Sequence, residues 1–76
     1  MDDEQKALAV RLGAELRRLR LAAGKTQEDL ADEAAMTTNY VSLVERGETN
    51  VTLAAATRIT QALGVKLSEV LATVEG

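Results

Sequence analysis

The 76-residue sequence has no cysteine, histidine, proline, phenylalanine or tryptophan, and Tyr40 is its sole aromatic residue. Without cysteine there is no disulfide staple, and without cysteine or histidine the usual zinc sites are excluded. The same absences remove the common nucleophile–base pairs, so no catalytic set is expected. No metal and no cofactor is expected either. No apolar run approaches the ~20 residues of a membrane span, and no signal-peptide pattern opens the chain. The expectation is a soluble, cytoplasmic protein with no membrane partner.

What is present favours helices: alanine and leucine are abundant, and nothing interrupts them as proline would. The length suits one small domain, residues 1–76, with no repeat, linker or low-complexity segment. A domain of this size buries only about 60% of its unfolded surface, so modest stability is expected. The net charge of −3 argues against indiscriminate nucleic-acid binding. Its distribution is uneven, however. Asp2, Asp3 and Glu4 open the chain, and Glu28, Asp29, Asp32 and Glu33 form a second acidic group. Between them run Arg11, Arg17, Arg18, Arg20 and Lys25. An acidic protein can bind DNA if its cations face the phosphates.

Five helices are expected. The first, residues ~4–23, carries Leu8, Leu12, Leu16 and Leu19 as a stripe, and Gly24 ends it. Gly13 costs it about 1 kcal/mol relative to alanine and leaves room for close packing. Thr26 and Asp29 make a capping box, so a second helix runs over ~27–34 with Leu30, Ala31 and Ala34 on its apolar face. Its acids are read as complements to the helix dipole, since nothing beside them could complete a metal or catalytic site. Ala35 and Met36 turn the chain. Thr37 caps a third helix that buries Val41 and Val44 and stops at Gly47. Thr52 caps a fourth, ~53–63, with Leu53, Ala56, Ile59, Ala62 and Leu63 inward. A fifth, ~66–74, has an apolar stripe of Leu67, Val70, Leu71 and Val74. So small a domain is expected to leave part of that stripe for a second copy, making Leu53, Leu67, Val70, Leu71 and Val74 the candidate dimer interface.

Two short helices joined by a tight turn over Thr26–Gly47 have the layout of a helix-turn-helix, whose second helix enters the DNA major groove. On the third helix Thr38, Asn39, Ser42 and Leu43 lie away from Val41 and Val44. Hydroxyls and amides at such positions can read base edges. An asparagine pairs bidentately with adenine, and threonine or leucine methyls meet the thymine methyl.

These residues resemble the Cro/repressor-type helix-turn-helix family of phage repressors and small bacterial regulators. The likeness covers about residues 12–72. It rests on Leu16-Arg17, Leu19-Arg20, Gly24, Thr26-Gln27-Glu28, Leu30-Ala31, Tyr40-Val41-Ser42, Glu45-Arg46-Gly47, Asn50, Thr52-Leu53 and Leu63-Gly64-Val65. The resemblance implies a compact five-helix, all-α domain with helix three as the reader. It implies that Thr38, Asn39, Ser42 and Leu43 face bases. Gln27, Thr37, Tyr40, Thr49 and Asn50 would hold the DNA backbone, with Arg17, Arg18 and Arg46 as further phosphate contacts. Arg20 and Glu45 match a family ion pair that ties helix one to the end of helix three. The chain departs from the family pattern at Ala35, where glycine is common, at Thr38 and Leu43, where many members carry arginine, and at Val51, often proline.

The function implied is a homodimeric, sequence-specific double-stranded DNA-binding transcription regulator on a two-fold-symmetric operator. The size and the Glu45–Leu53 stretch look most like the controller proteins of restriction–modification systems. An activator would also need RNA polymerase as a partner, with Asp32 and Glu33 the candidate acidic surface. The rival expectation, from the acidic net charge and the missing arginines, is a protein-interaction module such as an antitoxin or coactivator-like protein.

Overall fold

The structure, a computed structural model, describes residues 2–76. Among them are five α-helices and no strand: α1 (Asp3–Ala22), α2 (Gln27–Glu33), α3 (Thr38–Glu45), α4 (Leu53–Leu63) and α5 (Leu67–Glu75). Each expected helix is present within one or two residues of its expected ends. The caps explain why. Asp2 and Gln5 form a reciprocal capping box on α1, and Thr26 and Asp29 form one on α2. The Thr37 hydroxyl accepts from the Tyr40 amide at 3.1 Å, and that of Thr52 from Ala55 at 3.0 Å. α5 begins at Leu67, and Lys66 before it supplies no side-chain cap.

α2 packs on α3 and α4, while α1 lies across α3, α4 and α5. The shared core contains Leu16, Leu30, Ala31, Ala34, Val41, Val44, Ile59, Val70 and Val74. Burying a leucine, isoleucine or valine contributes about 1.5–3 kcal/mol each, so these aliphatics carry the cohesion of a domain that has almost no aromatic mass.

Three expectations need correction. Val70 and Val74 belong to the chain's own core, at 3% and 8% exposure, so they are not free to form a dimer surface. α5 can bury only one stripe, and α1 takes it. Leu53 was expected inward on α4, but as the first residue of that helix it projects past the packing surface and is 73% exposed. The α1 stripe also fades toward its N-terminus: Leu16 is buried, Leu12 and Leu19 are half-buried, and Leu8 is exposed.

Gly13 is where α1 meets α3. A Cβ there would lie 2.2 Å from the Val44 carbonyl oxygen and 2.7 Å from that of Glu45, so no side chain fits. No described helix is long and apolar enough to cross a membrane.

Candidate nucleic-acid interface

The site is assembled around one carboxylate. Arg20, on the buried face of α1, meets Glu45 at the end of α3 through two parallel bonds: Nε donates to Oε2 at 2.7 Å and Nη2 to Oε1 at 3.0 Å. A third bond runs from Arg20 Nη1 to the Lys25 carbonyl at 2.8 Å. From the first turn of α2, Gln27 Nε2 donates to Glu45 Oε1 at 3.1 Å. Three helices therefore converge on Glu45. The expected Arg20–Glu45 pair is present and buried, with the side chains 8% and 2% exposed. Its hydrogen bonds with Glu45 raise the Arg20 pKa above the ordinary guanidinium range, against the opposing effect of burial. The bidentate geometry fixes an angle as well as a distance, and that angle sets how α3 projects.

Held in this way, α3 turns Val41 and Val44 inward and leaves Thr38 and Asn39 exposed on its first turn. Ser42 and Leu43 follow one turn on, half-buried. Among α3's own residues, Glu45 is the sole charged side chain, and it is buried. The presented surface is thus neutral and polar, bearing hydroxyls, one carboxamide and methyl groups.

The expected backbone-gripping residues are placed less uniformly. Thr37 is exposed at the N-cap, and Tyr40 is half-buried against the core. Thr49 is half-buried and Asn50 exposed in the α3–α4 loop. Gln27 commits one of its two amide hydrogens to Glu45, which leaves the other for a second acceptor. Arg46 is engaged locally: it pairs with Glu48 at 3.0 Å, and its Nε donates to the Ser42 carbonyl at 3.3 Å. Arg17 is exposed and makes no ion pair or side-chain hydrogen bond among the described residues.

The basic run of the sequence does not form one patch. Arg11 Nε donates to the Val74 carbonyl at the end of α5, 3.3 Å away. Arg18 forms a bidentate pair with Glu15, at 2.8 and 2.7 Å, and its hydrogen bonds hold the Glu15 carboxyl below the usual carboxylate range. Lys25 bonds Glu33 and the Ala62 carbonyl. Of the acidic pair Asp32 and Glu33, only Asp32 is left without an ion-pair partner among the described residues. At the α2 cap, the Thr26 amide and hydroxyl hold the Asp29 carboxyl below its ordinary value. Sequence reasoning gave no role to Arg58. It lies on α4 and lines a groove with Thr37 and Tyr40, neighbours that no local sequence pattern reports.

No metal-binding group of acidic residues occurs among the described residues. Two helices meeting through a tight turn, the second offering an uncharged polar edge, define a helix-turn-helix protein. The comparisons agree. Residues 11–72 match the model of the helix-turn-helix domain family, and the chain belongs to that family. A hypothetical transcription factor of Neisseria meningitidis serogroup B is 37% identical over 71 residues, 93% of this chain. The chain spans 66% of that relative's length. The restriction-modification controller protein C.AhdI from Aeromonas hydrophila superposes with a TM-score of 0.80 at 39% identity, covering 82% of this chain and 94% of that one. The controller protein C.Esp1396I, solved as a tetramer with its natural 35-base-pair operator, gives a TM-score of 0.81 at 28% identity, covering 90% of each chain.

Proposed function

We propose that this chain is a cytoplasmic, non-enzymatic transcription regulator that binds double-stranded DNA sequence-specifically, as a homodimer on a two-fold-symmetric operator. The observation that carries this reading is the exposed, uncharged first turn of α3, held at a fixed angle by the buried Arg20–Glu45–Gln27 cluster. An α-helix with its side chains is about 10–12 Å across, which matches a major groove about 12 Å wide. In this reading Thr38, Asn39, Ser42 and Leu43 read bases. Thr37, Tyr40, Thr49, Asn50 and the free amide hydrogen of Gln27 position the duplex, with Arg17 beside them. Arg46 joins them only by leaving Glu48. With Val70 and Val74 in the core, the dimer surface falls to exposed Leu53 and half-buried Leu67 and Leu71. Control of a restriction–modification operon is the narrower reading, supported by the likeness to C.AhdI and C.Esp1396I.

The test is selection of the purified protein and its Asn39→Ala variant against random duplex DNA at near-physiological salt, where non-specific attraction is weak. The expected outcome is a two-fold-symmetric site whose half-sites lie about one turn, roughly 34 Å, apart. Asn39→Ala should relax one position per half-site by about 1–3 kcal/mol. Unchanged base preferences would remove Asn39 from the reader. No enrichment from a folded, dimeric sample would overturn the regulator reading and favour a protein-interaction module.

A further inference from the structure

For a chain of net charge −3, electrostatic attraction to DNA comes from cations left free to meet phosphates. Of the nine lysines and arginines, five are already engaged. Arg18, Arg20, Lys25 and Arg46 pair with carboxylates, and Arg11 bonds the end of α5. Among the described residues, Lys6, Arg17, Arg58 and Lys66 make neither an ion pair nor a side-chain hydrogen bond. Arg58 is the one of these four that borders the front of α3. It lines a groove of about 430 Å³ together with Ala35, Met36, Thr37, Tyr40, Thr52 and Ala55. No carboxylate lines that groove. On its other side Arg58 borders a second groove whose one carboxylate, Glu33, is bound by Lys25.

Building on the DNA-binding reading, we propose that Arg58 is a phosphate contact that extends the DNA footprint from the helix-turn-helix onto α4. The chemistry of the groove suits one phosphate group. A guanidinium offers paired N–H donors to phosphate oxygens. The Thr37 and Thr52 hydroxyls accept from the backbone as helix caps, which leaves their hydrogens to donate, and the Tyr40 hydroxyl is a further donor. The contact carries no sequence information; it adds affinity and fixes register.

The test measures binding of the intact protein to its selected operator as a function of salt, for wild type, Arg58→Gln, Arg58→Lys and Lys66→Gln. One lost phosphate contact makes the slope of log K against log salt shallower by about 0.9. Arg58→Gln should show that change, with affinity reduced by the same factor on operator variants of every sequence. Arg58→Lys should restore most of the slope. Lys66→Gln, at a cation that lines neither groove, should leave the slope at the wild-type value. An unchanged slope for Arg58→Gln would overturn the proposal, as would an equal loss for Lys66→Gln, which would reduce the effect to net charge. A loss confined to one base pair would overturn it in favour of base reading. Failure of wild type to bind any duplex would instead refute the DNA-binding reading on which the proposal rests.

Discussion

The two halves of this domain are held together by different physics. Where α1 and α2 meet α3, aliphatic packing of Leu16, Leu30, Val41 and Val44 is joined by a polar, directional contact. One carboxylate, Glu45, takes three hydrogen bonds from Arg20 and Gln27, and the bare Gly13 lets the backbones approach. Where α4 and α5 close the domain, the contact is aliphatic, through Ala55, Ala56, Ile59, Val70 and Val74. The one buried hydroxyl there, that of Thr60, donates back to the Ala56 carbonyl of its own helix. Aliphatic burial is non-directional and tolerates small rearrangements, whereas a bidentate ion pair specifies an angle. The directional half is the one that carries α3, the proposed reader. In the proposed function α3 must be placed to a fraction of a turn, whereas α4 and α5 close the core with their inner faces and leave Arg58 and the proposed dimer surface on their outer ones.

The largest effect should come from Glu45→Ala. It leaves the Arg20 guanidinium buried and unpaired, and breaking such a pair costs about 3–5 kcal/mol. A domain of this size has only about 4–11 kcal/mol in total, so the variant should be measured by chemical denaturation at low temperature. Replacing both partners, Arg20→Met with Glu45→Leu, should recover most of that stability, because no charge is left buried. It should not recover operator affinity, because the angle of α3 is no longer set. A double variant that binds the operator as wild type does would show that aliphatic packing alone can aim the reader. That result would erase the distinction between the two halves.

Gly13→Ala probes the same contact with a smaller perturbation. Helix propensity favours the alanine by about 1 kcal/mol. The added methyl, however, would sit 2.2 Å from the Val44 carbonyl oxygen, which belongs to the backbone and cannot swing aside. Overpacking of this kind costs about 1–3 kcal/mol, so the sign should be destabilising, read as a lower denaturation midpoint. A stabilised Gly13→Ala would mean that α1 and α3 do not approach this closely in solution.

Much of this architecture was legible in the sequence because it is written locally. Thr26 with Asp29, Thr37 and Thr52 announce helix starts through side chains that serve amides three residues on. The spacing of Leu30, Ala31, Ala34, Val41 and Val44 announces which faces are buried. The Arg20–Glu45 pair spans 25 positions, and no local pattern reports it; only the resemblance to a known family supplied it. The same limit explains the errors. The stripe on α5 shows that Val70 and Val74 are apolar-faced, but not whether α1 or a second copy covers them. A row of arginines in sequence says nothing about which of them the fold has already paired. Arg58 was overlooked for the converse reason: it is isolated in sequence and acquires neighbours only when α4 lies beside the turn before α3.

That turn offers the smallest test of the comparison. At three helix ends the chain turns on a glycine with positive φ, Gly24, Gly47 and Gly64, at 70°, 70° and 73°. Before the reader helix it turns on Ala35, at φ 56°. The neighbouring Met36 amide donates to the Ala31 carbonyl at 2.9 Å, so the turn is closed in spite of the strain. A left-handed alanine costs roughly 1–2 kcal/mol. Ala35→Gly removes that strain and adds about 0.4–1 kcal/mol of unfolded-chain freedom. The net expectation is a stabilisation of up to about 1.6 kcal/mol, seen as a higher denaturation midpoint with unchanged cooperativity. Operator affinity should stay the same, because the angle of α3 is set from its far end at Glu45. If affinity falls while stability rises, the stiffness of the alanine turn also helps to aim the reader. The directional half would then extend across the front of α3 as well as behind it.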